Sequence, residues 1–430
     1  MEKRPASRNP WAWVPSLYVA EGVPYAMAMS VSVVLYKRLG ISNTEIALYT
    51  SWLYLPWVIK PLWSPLVELL RTKRFWILLT QLLVGASLAS IALSLPTSRF
   101  FQLTLAFFWL MAFCSATHDI AADGFYLLGL EEHHRAAFVG VRTTFYRLAM
   151  IATQGGLVIL AGTLEGRGQS VPASWTMALL MVSGLFFLFF LYHSLVLPFP
   201  DSDQPAPRRP AASFLPDFFR PFGLFFKKRE IFSILAFLLF YRFAETQIVK
   251  IIAPFLLDPR HKGGLELTTS QVGMVYGTVG VISLMLGGLL GGYAIYRKGL
   301  RFWLWIMAAA LHLPDLVYVY LSQALPSHLL WITLCIGLEQ FGYGFGFTAY
   351  TMFMMMISEG EYRTVHYAIA TGIMALAMMV PAMASGWLQE RLGYPDFFLY
   401  VMAATIPGFI VTGLVKIDPD FGKKKETKRV

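Results

Sequence analysis

The chain has 430 residues, of which 57% are hydrophobic and 14% charged, and its formal net charge is +10. Soluble domains carry roughly 25% charged residues and the mean hydropathy here is +0.57, so a single soluble core is excluded and a lipid bilayer is the natural solvent. The positive charge sits in short stretches between apolar runs rather than on one face, which argues against nucleic acid as a partner.

In chain order, apolar runs near the length a bilayer needs predict spans at 12–38, 44–70, 74–95, 100–128, 135–163, 173–196, 231–257, 270–296, 301–323, 327–357, 362–388 and 396–416. The expectation is an all-α integral membrane protein with about 12 transmembrane helices. The first run follows a basic stretch without a small-residue cleavage pattern and reads as a retained helix. Pro24, Pro56, Pro61, Pro254 and Pro381 fall inside runs and predict bends. Cys114 and Cys335 also lie in apolar runs, so neither a disulfide framework nor a zinc site is expected.

The loops give the topology. Lys3, Arg4 and Arg8, Arg71, Lys73 and Arg74, Arg135, the basic residues of 208–229, Arg297, Lys298 and Arg301, Arg363 and the tail "KKKETKR" alternate with loops that hold only Lys37, Arg38, Arg99, Arg167, Arg260, Lys262 and Arg391. That bias places both termini in the cytoplasm. The Pro- and charge-rich stretch 198–230 is expected to be a cytoplasmic linker with a short surface helix around Phe218–Phe226. It separates two six-helix bundles, 1–197 and 231–430, the second ending in a basic cytoplasmic tail. The halves echo each other: Glu21 in "YVAEGVPYAM" matches Glu245 in "YRFAETQIVK", and Glu131 to Arg135 matches Glu359 to Arg363. Parallel repeats of six spans are a transporter pattern.

Charges inside spans are costly, roughly 2.5–3.5 kcal/mol on insertion scales, and persist where a partner or a water-filled cavity relieves them. Glu21, Asp119, Asp123, Glu245, Asp315 and Glu339 are the acids and Arg142, Arg147, Arg242 and Lys250 the bases; Lys60 lies nearer a span end, where it can snorkel. Asp119 and Asp123 are four apart and share a helix face. About the turn near His133, Asp119 lies at the depth of Arg147 and Asp123 at that of Arg142, so either pair can form if the helices touch. Such pairs either hold the hairpin statically or carry a proton. Asp119 and Asp123 are the first proton-coupling candidates, with Glu21, Glu245 and His118 next. Arg147, Arg142, Arg242, Lys250, Tyr146, Gln154, Tyr241, Gln247, Glu339 and Gln340 are the substrate-binding candidates. Arg135, Arg363 and the Arg71–Arg74 cluster suit gate or topology contacts. The glycine-rich stretches lack the strand–turn–helix setting of a phosphate loop, and no catalytic triad or metal-ligand spacing appears, so no enzyme is expected.

"FCSATHDIAADGFY" followed by "LEEHHRAAFVGVRTTFYRLAMIATQGG" resembles the fourth and fifth helices of AmpG-type muropeptide permeases, in the peptide/acetyl-coenzyme A transporter group of the major facilitator superfamily. "EGVPYAM", "KPLWSPLVELL" and the second half from "FYRFAE" to "ASGWLQERLGY" extend the resemblance over nearly the whole chain. It implies proton-driven import of N-acetylglucosaminyl-1,6-anhydro-N-acetylmuramyl peptides across the bacterial inner membrane for cell-wall recycling. It implies no cofactor beyond the proton gradient, a small-molecule substrate and the lipid bilayer as partners, and a monomer. Acetyl-coenzyme A, a siderophore or another sugar conjugate is the alternative cargo on the same fold. The sequence departs from the family pattern at His118, where Gln is usual, at Glu21, where a small or polar residue is usual, and at Glu68, where Asp is usual.

Overall fold

A computed structural model of the protein describes residues 8–205 and 211–424. Lys3, Arg4, Arg208, Arg209 and the end of the basic tail fall outside the described residues, as do the side chains of Glu68 and His133.

The described residues are helical with no strand. Among the described residues, nine runs are long and apolar enough to cross a membrane. One of them, Val365–Leu414, holds two helices, because Gly393 leaves the helical region at φ 75° and ψ 167°. Two more helices complete the set. One is interrupted at Leu53 and Tyr54; the other is diluted in hydropathy by Glu339, Gln340 and its glycines. In chain order the helices are α1 (Pro10–Arg38), α2 (Asn43–Trp52 and Leu55–Leu70), α3 (Lys73–Ser94), α4 (Phe100–Gly129), α5 (Glu132–Ile151, continuing to Gly166), α6 (Val171–Val196), α7 (Ile231–Leu257), α8 (Thr269–Lys298), α9 (Leu300–Ala324), α10 (Leu329–Ser358), α11 (363–392) and α12 (394–414). A further helix, Ala211–Phe226, lies within the stretch expected to hold a short surface helix.

Several helices depart from regular winding. Pro24 precedes a wide-turned π segment, Met27–Val31, in α1. Similar segments occur at Ala152–Leu157 and Gly273–Gly280. Such bulges free backbone groups and turn side chains out of phase. Pro61 and Pro65 lie within α2, and a single turn, Leu313–Asp315, interrupts α9 at Pro314. The outer faces are apolar: Leu188 of α6 and Leu289 of α8 are 63% and 69% exposed, as lipid-facing residues are.

Two compact units emerge. The first comprises 1–41, 53–209 and 268–277; the second comprises 42–52, 210–267 and 278–430. In the first, Trp13, Leu17, Tyr18, Ile77, Phe125 and Tyr126 form a core around α1, α3 and α4. In the second, Phe237, Tyr241, Met307, Leu311, Tyr350 and Phe353 join α7, α9 and α10. Close approach in this unit rests on glycine. A Cβ on Gly287 would lie 2.0 Å from the Phe341 carbonyl, and one on Gly344 2.0 Å from that of Leu284. Small residues at such crossings let membrane helices pack backbone to backbone.

Candidate functional site

The first unit gathers three carboxyls and two cations inside its helices. Asp119 and Asp123 stand one turn apart on α4. Asp119 forms an ion pair with Lys60, on the proline-bent half of α2. Asp123 pairs with Arg142 of α5 at 2.8 Å and accepts a hydrogen bond from the Tyr18 hydroxyl at 3.2 Å. The Arg142 guanidinium also lies 4.6 Å from the Tyr18 ring centre and 5.2 Å from that of Tyr126. Rings and carboxylate together fix its plane, a role an ammonium could not fill.

Glu21 completes the cluster from α1. It is buried, and its carboxyl meets that of Asp119 in hydrogen-bond contact. Its Oε2 is buried and receives no donor among the described residues. Gly22 lets α1 lie close against α5, because a Cβ there would sit 2.9 Å from both the Ala149 side chain and the Tyr146 carbonyl. Two carboxyls in hydrogen-bond contact need a proton between them. Tyr146 stands beside Glu21, and Tyr25 packs edge-on to Trp57 at 5.3 Å and near Tyr146 at 6.5 Å. Acids and bases are thus bordered by aromatic rings.

Depth matching allowed Asp119 to pair with Arg147. The structure gives Asp119 to Lys60 instead, and Arg147, half-buried, has no ion pair among the described residues. His118 is held in a separate buried chain. Its Nε2 meets Gln81 Nε2 at 3.1 Å, Gln81 Oε1 meets His193 Nδ1 at 3.0 Å, and His193 Nε2 meets Ser16 Oγ at 2.9 Å. As the Gln81 amide is oriented, its NH2 donates to His118, whose Nε2 is then unprotonated, and its carbonyl accepts from His193 Nδ1–H. Gln154 lies in the π segment of α5 with Ser30, Val34 and Tyr276 around it.

The second unit has its own buried polar group. Arg242 donates to Glu245 from Nε at 3.0 Å and Nη2 at 2.8 Å, and to the Tyr343 hydroxyl at 2.6 Å. Its guanidinium also lies 4.7 Å from the Phe347 ring centre. Glu339 accepts from the Tyr318 hydroxyl at 2.7 Å and from its neighbour Gln340 at 3.0 Å. Lys250 is fully buried and donates to the Thr50 carbonyl at 3.4 Å. Gln247 donates to the Phe243 carbonyl at 3.1 Å. Tyr241 is fully buried, stacked on Phe237 at 4.6 Å, with its hydroxyl on the Gly346 carbonyl.

Away from these groups, Arg135 donates to the Leu130 carbonyl at 2.8 Å, and Arg74 to that of Ser194 at 2.6 Å. Asp203 accepts from the amides of Lys73 and Arg74 and so caps α3. Among the described residues, no group of three His, Cys, Asp or Glu could hold a metal ion. Sequence reasoning set Lys60 aside as a snorkelling residue and passed over Tyr18, Tyr318 and Tyr343. The only local signal for Lys60 is its place before Pro61 in "KPLWSP".

The Major Facilitator Superfamily profile matches residues 16–380. Anhydromuropeptide permease of Escherichia coli K12 is 25% identical over 361 residues, 83% of this chain and 69% of the relative. "Putative transporter AmpG 4" of Rickettsia conorii is 22% identical over 408 residues, 92% of this chain and 94% of the relative. Among solved structures, nucleoside transporter NupG superposes with a TM-score of 0.67 at 16% identity, over 94% of this chain and 98% of that one. The D-xylose-proton symporter gives 0.68 at 11%, over 96% and 99%. These likenesses agree in fold with the helices described above. The chain belongs to the Major Facilitator Superfamily and is an integral membrane transporter resembling the AmpG-type permeases within it.

Proposed function

We propose that the protein is a proton-coupled importer of anhydro-muropeptides, built as two six-helix halves (1–197 and 231–430) joined by 198–230. It sits in the bacterial inner membrane with both termini cytoplasmic and works by alternating access without a cofactor. The likeness to an anhydromuropeptide permease over most of the chain supports the cargo. The positive-charge bias of the loops supports the orientation.

The observation that carries the coupling is the charge count of the α1–α2–α4–α5 cluster. Three carboxyls (Glu21, Asp119 and Asp123) face two cations (Lys60 and Arg142), and two of the carboxyls touch. One proton on the Glu21–Asp119 pair makes the cluster neutral, which favours crossing a low-dielectric membrane. Loss of that proton leaves a negative charge that draws Lys60 and Arg142 inward and away from a cargo carboxylate. Proton and cargo binding are thereby linked through the same two cations, as coupled binding requires. The partly exposed aromatic rings of Tyr25, Trp57 and Tyr146 offer apolar faces for sugar rings beside the charges.

The test is uptake of radiolabelled anhydro-muropeptide into proteoliposomes with and without an imposed inward proton gradient. Uptake that rises with the gradient, and that Asp119→Asn reduces to gradient-independent exchange, is the expected result. Uptake indifferent to the gradient would remove the coupling. No uptake by folded, inserted protein would remove the cargo.

A further inference from the structure

The second unit carries an acid for which nothing above accounts. Asp315 ends the short turn Leu313–Asp315 that interrupts α9 at Pro314. It is 1% exposed, and both carboxylate oxygens are buried with no hydrogen-bond partner among the described residues. The charges that reach it are those of Glu339 from α10 and Glu245 from α7, both acids. Arg242 on α7 is committed to Glu245 through two hydrogen bonds. Glu339 is satisfied by Tyr318 and Gln340. On its own helix, one turn back, Asp315 has His312, whose buried ring packs against Phe409 at 5.3 Å and Tyr241 at 6.1 Å rather than on the carboxyl. Of the three carboxyls, only Glu245 has a cation against it among the described residues.

An ionised carboxylate with no donor and no facing cation is among the costliest groups to bury. A metal ion would relieve it only with several oxygen ligands. The described residues provide no such set. A proton needs a single lone pair. From this geometry we infer that Asp315 is a proton-binding site in the second half of the transporter, distinct from the Glu21–Asp119 pair. It takes a proton from the aqueous phase on one side, crosses the conformational change as the neutral acid, and returns the proton to the other side. The broken turn at Pro314 frees α9 to pivot there, which provides the movement that opens Asp315 to water. That the bound proton is transported rests on the proton-coupled reading above; that Asp315 holds one does not.

The test needs no cargo. Infrared spectra of the purified protein in detergent, unlabelled and with carboxyl-13C aspartate, report protonated aspartate as a carbonyl stretch that shifts with the label. The expected result is a label-sensitive band at the position of a carboxylic acid without hydrogen bonds, lost in Asp315→Asn. Should that variant not purify as folded protein, the labelled wild type alone decides, since an aspartic acid free of hydrogen bonds is expected at Asp315. Absence of the band overturns the inference. So does its persistence in folded Asp315→Asn, or its removal by sodium at constant pH, which would mark a metal-ion site. In proteoliposomes, the proton-to-cargo ratio read from the reversal potential falls by one proton in Asp315→Asn. An unchanged ratio overturns the transport step. Failure of the wild type to take up any cargo counts against the cargo reading and leaves the spectrum to judge Asp315.

Discussion

Lys60 is the residue on which the first-half cluster turns, and Lys60→Met tests it most directly. The substitution keeps the length of the stem and removes the ammonium. Asp119 then loses its cation while remaining beside Glu21 and Asp123, so three carboxyls are left with Arg142 alone. Exposed ion pairs contribute at most about 1 kcal/mol, whereas removing one partner of a buried pair costs about 3–5 kcal/mol. The side chains of Lys60 and Asp119 are 29% and 18% exposed, which places the loss between those limits, at about 2–3 kcal/mol. Asp119→Asn removes a charge from an acid-rich group and leaves Lys60 with two other acids, so its cost is smaller. The double variant Lys60→Met/Asp119→Asn should be no less stable than Lys60→Met alone, so the coupling energy is at least as large as the cost of Asp119→Asn. Unfolding of all four proteins in detergent measures this. Gradient-driven uptake should fall in both single variants, because each removes one side of the proton–cation linkage. Single-variant costs that add within about 0.5 kcal/mol would refute the reasoning, since the two groups would then not sense each other.

Three further outcomes follow from the packing. Arg142→Lys keeps the charge but loses the planar contact with Tyr18 and Tyr126; apparent cargo affinity should fall by about 1–2 kcal/mol, roughly 5- to 30-fold, in concentration-dependent uptake. Arg242→Met leaves Glu245 buried without its ion-pair partner and should cost about 3–5 kcal/mol in detergent unfolding, much of it recovered in Arg242→Met/Glu245→Met. Gly344→Ala drives a methyl into the Leu284 carbonyl and should destabilise by about 1–3 kcal/mol, whereas Gly184→Ala, with nothing within 4 Å of the new Cβ, should be neutral or stabilising by up to about 1 kcal/mol; melting of the two variants side by side separates them.

The helices were legible in the sequence because the bilayer imposes one length and one polarity on every span. Their irregularities were legible only in part. Pro24 and Pro61 announced bends, but nothing in "MAMSV" marks a π segment, which arises from packing rather than from composition. At the site, depth matching across the α4–α5 turn correctly brought Asp123 to Arg142. It was silent on which way each side chain points around the helix. Successive residues turn by about 100°, so Asp119 and Asp123 lie only about 40° apart, whereas Arg142 and Arg147 lie about 140° apart. With Arg142 turned to α4, Arg147 faces elsewhere, and the vacancy beside Asp119 is open to a cation from another helix. Lys60 fills it, a long-range contact that spacing within α4 and α5 could not reveal. The carboxyl contact of Glu21 with Asp119 is of the same kind: it joins α1 to α4 across about a hundred residues of sequence.

Arg147 is the cation in these spans that the α4 acids leave for a cargo anion, an expectation its own substitution tests. Turned away from the α4 acids, it is half-buried and makes no ion pair among the described residues. A guanidinium in a span is costly to keep without an anion, and its fork fits a carboxylate in two parallel hydrogen bonds. A cargo bearing peptide carboxylates offers such an anion. Because no protein carboxylate is left unpaired by its removal, Arg147→Gln should change stability by less than about 0.5 kcal/mol. Losing a charge-assisted contact should cost about 1.5–3 kcal/mol of cargo binding, a rise in KM of roughly 10- to 150-fold with the gradient dependence of uptake intact. Arg147→Lys should recover part of the affinity and not all, since an ammonium keeps the charge without the fork. A loss of folded protein in Arg147→Gln, or an unchanged KM, would show that Arg147 serves the fold rather than the cargo, and would leave Arg142 and Lys60 as the cations the carboxylate must find.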